Sequence, residues 1–161
     1  MNVVAVAMVK DEADIVEAFV RHTLAHVNRL VVLENGSSDG SLEILRALEK
    51  ERLPITILED PTPGKYHSER MTRLMREHAV ERHAADWVLP LDVDEFLAVS
   101  AGATLVSGRT NVDAPLALAW QTYVPDDRDD PLQLNPVLRM SCHLVHGCKA
   151  VNVLVPRKLA A

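Results

Sequence analysis

The segment "ADWVLPLDVDEFLAV" (85–99) ends an apolar run on three carboxylates, Asp92, Asp94 and Glu95, and then returns at once to apolar residues. Side chains alternate on an extended chain, so Asp92 and Asp94 are expected on one face, roughly 6.5–7 Å apart at their backbones, with Val93 and Glu95 on the other. Two carboxylates on one face can converge on a hard cation. Mg²⁺ or Mn²⁺ accepts one or two carboxylates and completes its shell with water and phosphate oxygens, so the pair points to a phosphate-bearing ligand. The plainer reading is that the acids cap a following helix or carry a strand end into water.

Two further polar clusters follow apolar runs: "KDE" (10–12) and "ENGSSDG" (34–40). The first has no glycine, which counts against a dinucleotide fingerprint, since a pyrophosphate needs glycines for close backbone approach. The second lacks the Lys-Ser/Thr ending of a Walker loop. Its glycines Gly36 and Gly40 suit unusual backbone angles, and Asp39 or Ser41 can cap a helix. Read for function instead, Glu34, Asn35 and Asp39 offer acceptors to a nucleobase N–H or a sugar hydroxyl.

The elements that must position these clusters are legible from periodicity. "NVVAVAMV" (2–9), "RLVVLE" (29–34) and "ITILED" (55–60) are continuous apolar runs of buried strands. Between them, Ile15, Val16, Phe19, Val20, Leu24 and Val27 recur at helical steps, with Asp11 placed to cap that helix and Asp14 in its first turn. Leu42, Leu45 and Leu48 mark a second helix. A Pro/Gly break, "PTPGKYH" (61–67), precedes a helix over 68–83 with the stripe Met71, Leu74, Met75 and Ala79. The segment at 85–99 supplies a fourth strand, and Pro90 within it predicts an edge or a bulge. Alternating strands and helices with short connections imply an α/β fold, a mostly parallel sheet covered on both sides. The clusters then fall at the carboxyl ends of the strands, where open α/β sheets bind ligands. Beyond residue 100, "LALAWQTYV", "VLRMSCHLV" and "AVNVLV" read as extended segments between the turns "PDDRDDP" and "HGCK".

Composition sets the bounds. The chain has 161 residues, 48% of them hydrophobic, and a net charge of −6, which suits one globular domain with a real core and no basic patch for nucleic acid. No apolar run reaches the roughly 18 residues of a bilayer span, and the first residues lack a basic signal-peptide region, so a cytoplasmic protein is expected, peripheral at the inner membrane face at most. Cys142 and Cys148 are too few for a disulfide framework. In "CHLVHGC", Cys142, His146 and Cys148 would share one face of a strand and His143 the other, a poor start for tetrahedral zinc. Two packed thiols and histidines are expected instead.

The stretch "VAMVKDEADIVEAFVRHTLAH…RLVVLENGSSDGSLEIL…ADWVLPLDVDEFL" resembles the family 2 type of glycosyltransferase, in particular a small bacterial group with K-N-E, D-N-G-S-x-D and D-x-D-E-F motifs, over residues 3–99. Trp120 and Tyr123 resemble the segment that follows in that group. The resemblance implies a GT-A-like, Rossmann-type domain that moves a sugar from a nucleotide-diphosphate sugar, expected to be a UDP-sugar, to a glycan, lipid or protein acceptor with inversion. By position it implies that Asp92 and Asp94 hold Mn²⁺ or Mg²⁺, that Asp92, Glu34, Asn35 and Asp39 contact the donor, and that Asp11 and Glu12 lie close by. Asp11 stands where that group has Asn, and Glu34 where it has Asp, a longer acid that alters base selectivity. An inverting enzyme needs a base for the acceptor hydroxyl. Asp126 and Asp127 are the first candidates, with Asp129 and Asp130 beside them.

The resemblance further implies a single domain over 1–161, with a donor half at 1–99 and a shortened acceptor half at 100–161. Two other readings follow from the same residues. One is a non-catalytic or truncated nucleotide-sugar binding module. The other is a phosphohydrolase of the haloacid dehalogenase type with Asp92 as nucleophile, disfavoured because that motif belongs on a first strand.

Overall fold

A computed structural model of the chain describes residues 1–62, 66–100, 103–106, 113–133, 136–144 and 151–161. The apolar runs form strands β1 (Val3–Val9), β2 (Arg29–Glu34), β3 (Ile55–Glu59) and β4 (Trp87–Leu91), and later ones form β5 (Leu116–Ala119) and β6 (Val151–Pro156). They build one sheet in the order β3-β2-β1-β4-β6-β5. The first four strands are parallel, while β6 runs antiparallel to both β4 and β5. This is the mixed, mostly parallel Rossmann-type sheet expected from the sequence.

Alternation along β1 divides the core in two. Val3, Ala5, Ala7 and Val9 face α1 (Val16–Leu24) and α2 (Ser41–Lys50), where Val16, Phe19, Val20, Leu45 and Leu48 are buried. Val4 and Val6 face the opposite layer, with Met71, Leu74, Ala79 and Ala160. That layer comprises α3 (His67–Arg73), a π-helical stretch (Leu74–Arg82) and the short α5 (Arg157–Ala160). Each fully buried leucine or phenylalanine contributes on the order of 1.5–3 kcal/mol by leaving water.

Four local expectations change. The helix expected from residue 11 begins at Val16, because Asp11 adopts a left-handed φ of 55° and residues 13–15 form a turn held by Ile15 and Val16 N–H donating to the Glu12 carbonyl. Asp11 therefore does not cap it, and Asp14 lies in the turn before it. The helix over 68–83 is α-helical only to Arg73. Leu74 and Ala79 lie five residues apart and both enter the same core, a spacing that the wider π turn brings onto one face. Pro90 lies in an interior strand, yet β6 pairs with β4 only at Trp87 and Val88. Beyond Val88 that flank of β4 has no ladder partner among the described residues, which is how proline is tolerated there. Finally, "VLRMSCHLV" opens with the short helix α4 (Pro136–Arg139) before it extends, and His143 then forms an isolated bridge to Tyr123. The expected "HGCK" turn, with His146, Gly147 and Cys148, lies outside the described residues, as does the middle of "PTPGKYH".

Candidate functional site

The sheet order places β2 and β3 on one side of β1 and β4 on the other, so the loops after β1 and β4 are neighbours at a topological switch point. Three acidic loops meet around it.

The loops after β1 and β2 are laced together. Glu34, 3% exposed at the end of β2, accepts the N–H groups of Gly36 (3.1 Å) and Ser37 (2.5 Å). Asp39 accepts the Ser41 N–H (3.0 Å) and hydroxyl (2.6 Å) through Oδ1 and the Ala13 N–H (2.8 Å) through Oδ2. These bonds hold its carboxyl below the usual range, led by the Ser41 hydroxyl. Asp11 Oδ1 accepts the Ser38 N–H at 2.7 Å, and Lys10 donates to the carbonyls of Asn35 and Gly36. Both carboxylate oxygens of Glu34 and of Asp39 are thus engaged in shaping the loops. Asn35 differs: its Oδ1 accepts Arg70 Nη1 at 2.9 Å, and its Nδ2 hydrogens have no partner among the described residues.

The acids after β4 do not continue the strand. Residues 92–95 make a turn closed by Glu95 N–H donating to the Asp92 carbonyl at 3.1 Å, so Asp92 and Asp94 do not share one face of an extended chain as alternation would have it. Val93 is buried at 4% exposure and anchors the turn on the α1 side of the sheet, while both aspartates are exposed. Asp92 lies beside His67, with Oδ1 4.0 Å from Nε2. Asp94 stands close enough to Glu12, across the switch point, to help raise its pKa. Burial is the larger cause, followed by Asp14, Asp94, Asp39 and Asp11. Glu95 is half-buried and is raised chiefly by burial. Its Oε2 accepts both the Asp92 N–H (3.0 Å) and Asn152 Nδ2 (2.7 Å).

Asn152 reaches Glu95 from β6, across the gap where β4 and β6 part. That gap is a pocket of about 210 Å³ lined by His67, Met71, Asp92, Glu95, Trp120 and Asn152, among others. A larger open groove of about 740 Å³ runs along α3 between Asp60, Tyr66, Arg70 and Arg73. Arg70 is buried, and besides Asn35 it holds the Thr62 carbonyl and Asp60.

The acids of the turn after β5 bond mainly within the turn and to Cys142. Asp126 accepts the Arg128 guanidinium (Oδ1–Nε 2.5 Å) and the Cys142 thiol (3.3 Å), and that pairing, led by Arg128, holds its carboxyl far below the usual range. Asp129 accepts the Asp126 N–H, and Asp130 accepts the Leu132 N–H. Asp127 is exposed, and its carboxylate accepts no hydrogen bond among the described residues. Cys142 is a free thiol, and the His143 ring packs 5.8 Å from that of Tyr123.

Carboxylate oxygens in general suit Mg²⁺ or Mn²⁺, which keep waters and phosphate oxygens in their shell. Among the described residues no group of three or more His, Cys, Asp or Glu side chains is placed to hold a metal ion. His67, Arg70 and Asn152 were not signalled by the sequence. Arg70 reads as one of three arginines, with Arg73 and Arg76, on a solvated helix face, and a lone asparagine in an apolar strand gives no hint of its partner.

No family model and no curated protein sequence matches the chain. Among solved structures, the mannosyltransferase PcManGT from Pyrobaculum calidifontis, in complex with GDP-Man and Mn²⁺, is similar at 20% sequence identity and a TM-score of 0.48. The similarity covers 61% of this chain and 29% of that one, so it involves less than a third of the neighbour's length.

Proposed function

We propose that the chain is a metal-dependent glycosyltransferase domain that takes a sugar from a nucleotide-diphosphate donor, a UDP-sugar in the first instance, and transfers it with inversion to a hydroxyl acceptor. The observation that supports this best is the meeting of Glu12, Asp92, Asp94 and Glu95 at the switch point of a parallel sheet, beside a loop whose free polar group is the Asn35 amide. Several carboxylates gathered at one strand end form a local negative field that favours a cation and, through it, a diphosphate.

In this reading Asp92 and Asp94 hold Mn²⁺ or Mg²⁺. The ion, when bound, supplies Lewis-acid neutralisation of the charge that develops on the departing diphosphate. Glu95 acts as a positioning residue, since its Oε2 fixes the Asp92 backbone while Asn152 fixes Glu95. Glu34, Asp39 and Asp11 shape the donor loop, and Asn35 presents its amide to the base or ribose. Of the acids after β5, Asp127 is the better base, because the Arg128 pairing makes Asp126 a weak proton acceptor.

Calorimetry of UDP and GDP with and without Mn²⁺, on the native chain and on Asp92→Ala and Asp94→Ala, tests the reading. Metal-dependent binding of one nucleotide, lost in both variants, is expected. A folded protein that binds neither nucleotide overturns it.

A further inference from the structure

We infer that the pocket of about 210 Å³ where β4 and β6 part seats one neutral pyranose ring, with the Trp120 indole against its C–H face and Glu95 Oε1 accepting from its hydroxyls. This deepens the transferase reading and rests on it for the ring's being a substrate, while the seat itself needs no metal ion. Trp120 follows β5 directly, and Leu118 pairs with Asn152, so the indole borders the stretch of β6 that has parted from β4. It is 48% exposed, whereas the chain's other tryptophan, Trp87, is 1% exposed. A pocket wall thus keeps a wide apolar face in water.

The lining divides by chemistry. Trp120 and Met71 are apolar, and Asp92, Glu95, His67 and Asn152 are polar. Glu95 Oε2 is taken by the Asp92 N–H and Asn152 Nδ2, and Asn152 Oδ1 by the Val153 N–H. Glu95 Oε1 and the Asp92 carboxylate accept no hydrogen bond among the described residues, His67 lying 4.0 Å from Asp92. Ionised carboxylates only accept, so an occupant must bring donors. They also repel a phosphate, and a purely apolar chain would desolvate them without a bond. An organic cation would suit the carboxylates, but cation sites gather several aromatic faces and this pocket offers one indole. A pyranose meets every condition. Its hydroxyls donate at the rim, and its C–H face, polarised by the attached oxygens, is attracted to the negative face of an indole. A volume of about 210 Å³ is below the roughly 300–1,000 Å³ of pockets for drug-sized ligands, which limits the seat to a single ring.

The test is saturation-transfer NMR of the native chain with the methyl pyranosides of glucose, galactose, mannose and N-acetylglucosamine, each alone and with UDP and Mn²⁺. Saturation is expected on the ring C–H protons of at least one, together with protection of Trp120 fluorescence from acrylamide, a signal that buried Trp87 does not give. Trp120→Ala is expected to weaken that binding about tenfold, the scale of one aromatic contact, and Trp120→Phe less. Displacement of the glycoside by its nucleotide-linked form but not by UDP identifies the ring as the sugar to be transferred. Binding alongside both identifies it as part of the acceptor. No saturation of any glycoside in either condition, undiminished binding by Trp120→Ala, or displacement by choline overturns the seat. Glycoside binding by a chain that binds no nucleotide keeps the seat and overturns its transferase role. Trp120 is half-exposed, so its variants are expected to keep the native fold, checked by thermal unfolding.

Discussion

At the scale of single residues, acids that look alike in sequence divide by what their oxygens touch. Glu34 is buried with both oxygens accepting backbone N–H groups. Glu34→Ala leaves those donors unsatisfied, and a loss of about 1–3 kcal/mol is expected in urea unfolding. Glu12 is the opposite case, a carboxylate whose pKa is raised by burial and by neighbouring acids. A raised folded-state value means that the folded chain binds the proton more tightly. The favourable contribution is therefore present below the ordinary 4.5 and is lost as pH rises through the raised value. Glu12→Gln is expected to raise the melting temperature near neutral pH without divalent ions, with a gain that shrinks toward pH 4.5. A gain that grows on acidification contradicts this assignment.

At the scale of elements, the entry to α2 is set by backbone as much as by side chain. Gly40 precedes the helix with φ 101°, and a Cβ there would meet nothing within 4 Å. Gly40→Ala therefore carries only the left-handed backbone cost, about 1–2 kcal/mol, and Gly40→Asn less because asparagine visits that region more readily. Equal unfolding midpoints for the two variants would argue against it. The parting of β4 and β6 after Val88 is the other decisive local event, since it creates the pocket and leaves Asn152 as the strut between β6 and the acidic turn. Asn152→Ala is expected to weaken Mn²⁺-dependent nucleotide binding severalfold in calorimetry while changing global stability by about 1 kcal/mol, the scale of one lost hydrogen bond.

At the scale of the whole molecule, a ligand that binds only the folded chain stabilises it by mass action. Mn²⁺ with UDP at about 100 times the dissociation constant is expected to add about 2.7 kcal/mol, read as a rise in melting temperature. Asp92→Ala and Asp94→Ala are expected to abolish that rise, and an undiminished rise in either places the diphosphate elsewhere. No helix among the described residues is long and apolar enough to cross a membrane.

The sequence by itself determined the alternation of strands and helices, the two-faced burial of β1 and the placement of three polar clusters at strand ends, because hydrophobic periodicity and strand length are local properties. It pointed to the acids near 92–95 as a group. Which of those acids are free was decided by tertiary structure. Glu34 and Asp39 read as ligand acceptors by residue type, yet their oxygens are taken by N–H groups of loops that only the fold brings together. The turn at 92–95 replaced the extended geometry that alternation predicts, since Val93 is drawn into the core and closes the chain on itself. His67, Arg70 and Asn152 joined the site from 25, 22 and 60 residues away from Asp92 in numbering, on elements whose own periodicity carries no trace of the encounter. Side-chain pairing across such separations depends on sheet order and on where two strands part, and neither is written in any local window of the chain.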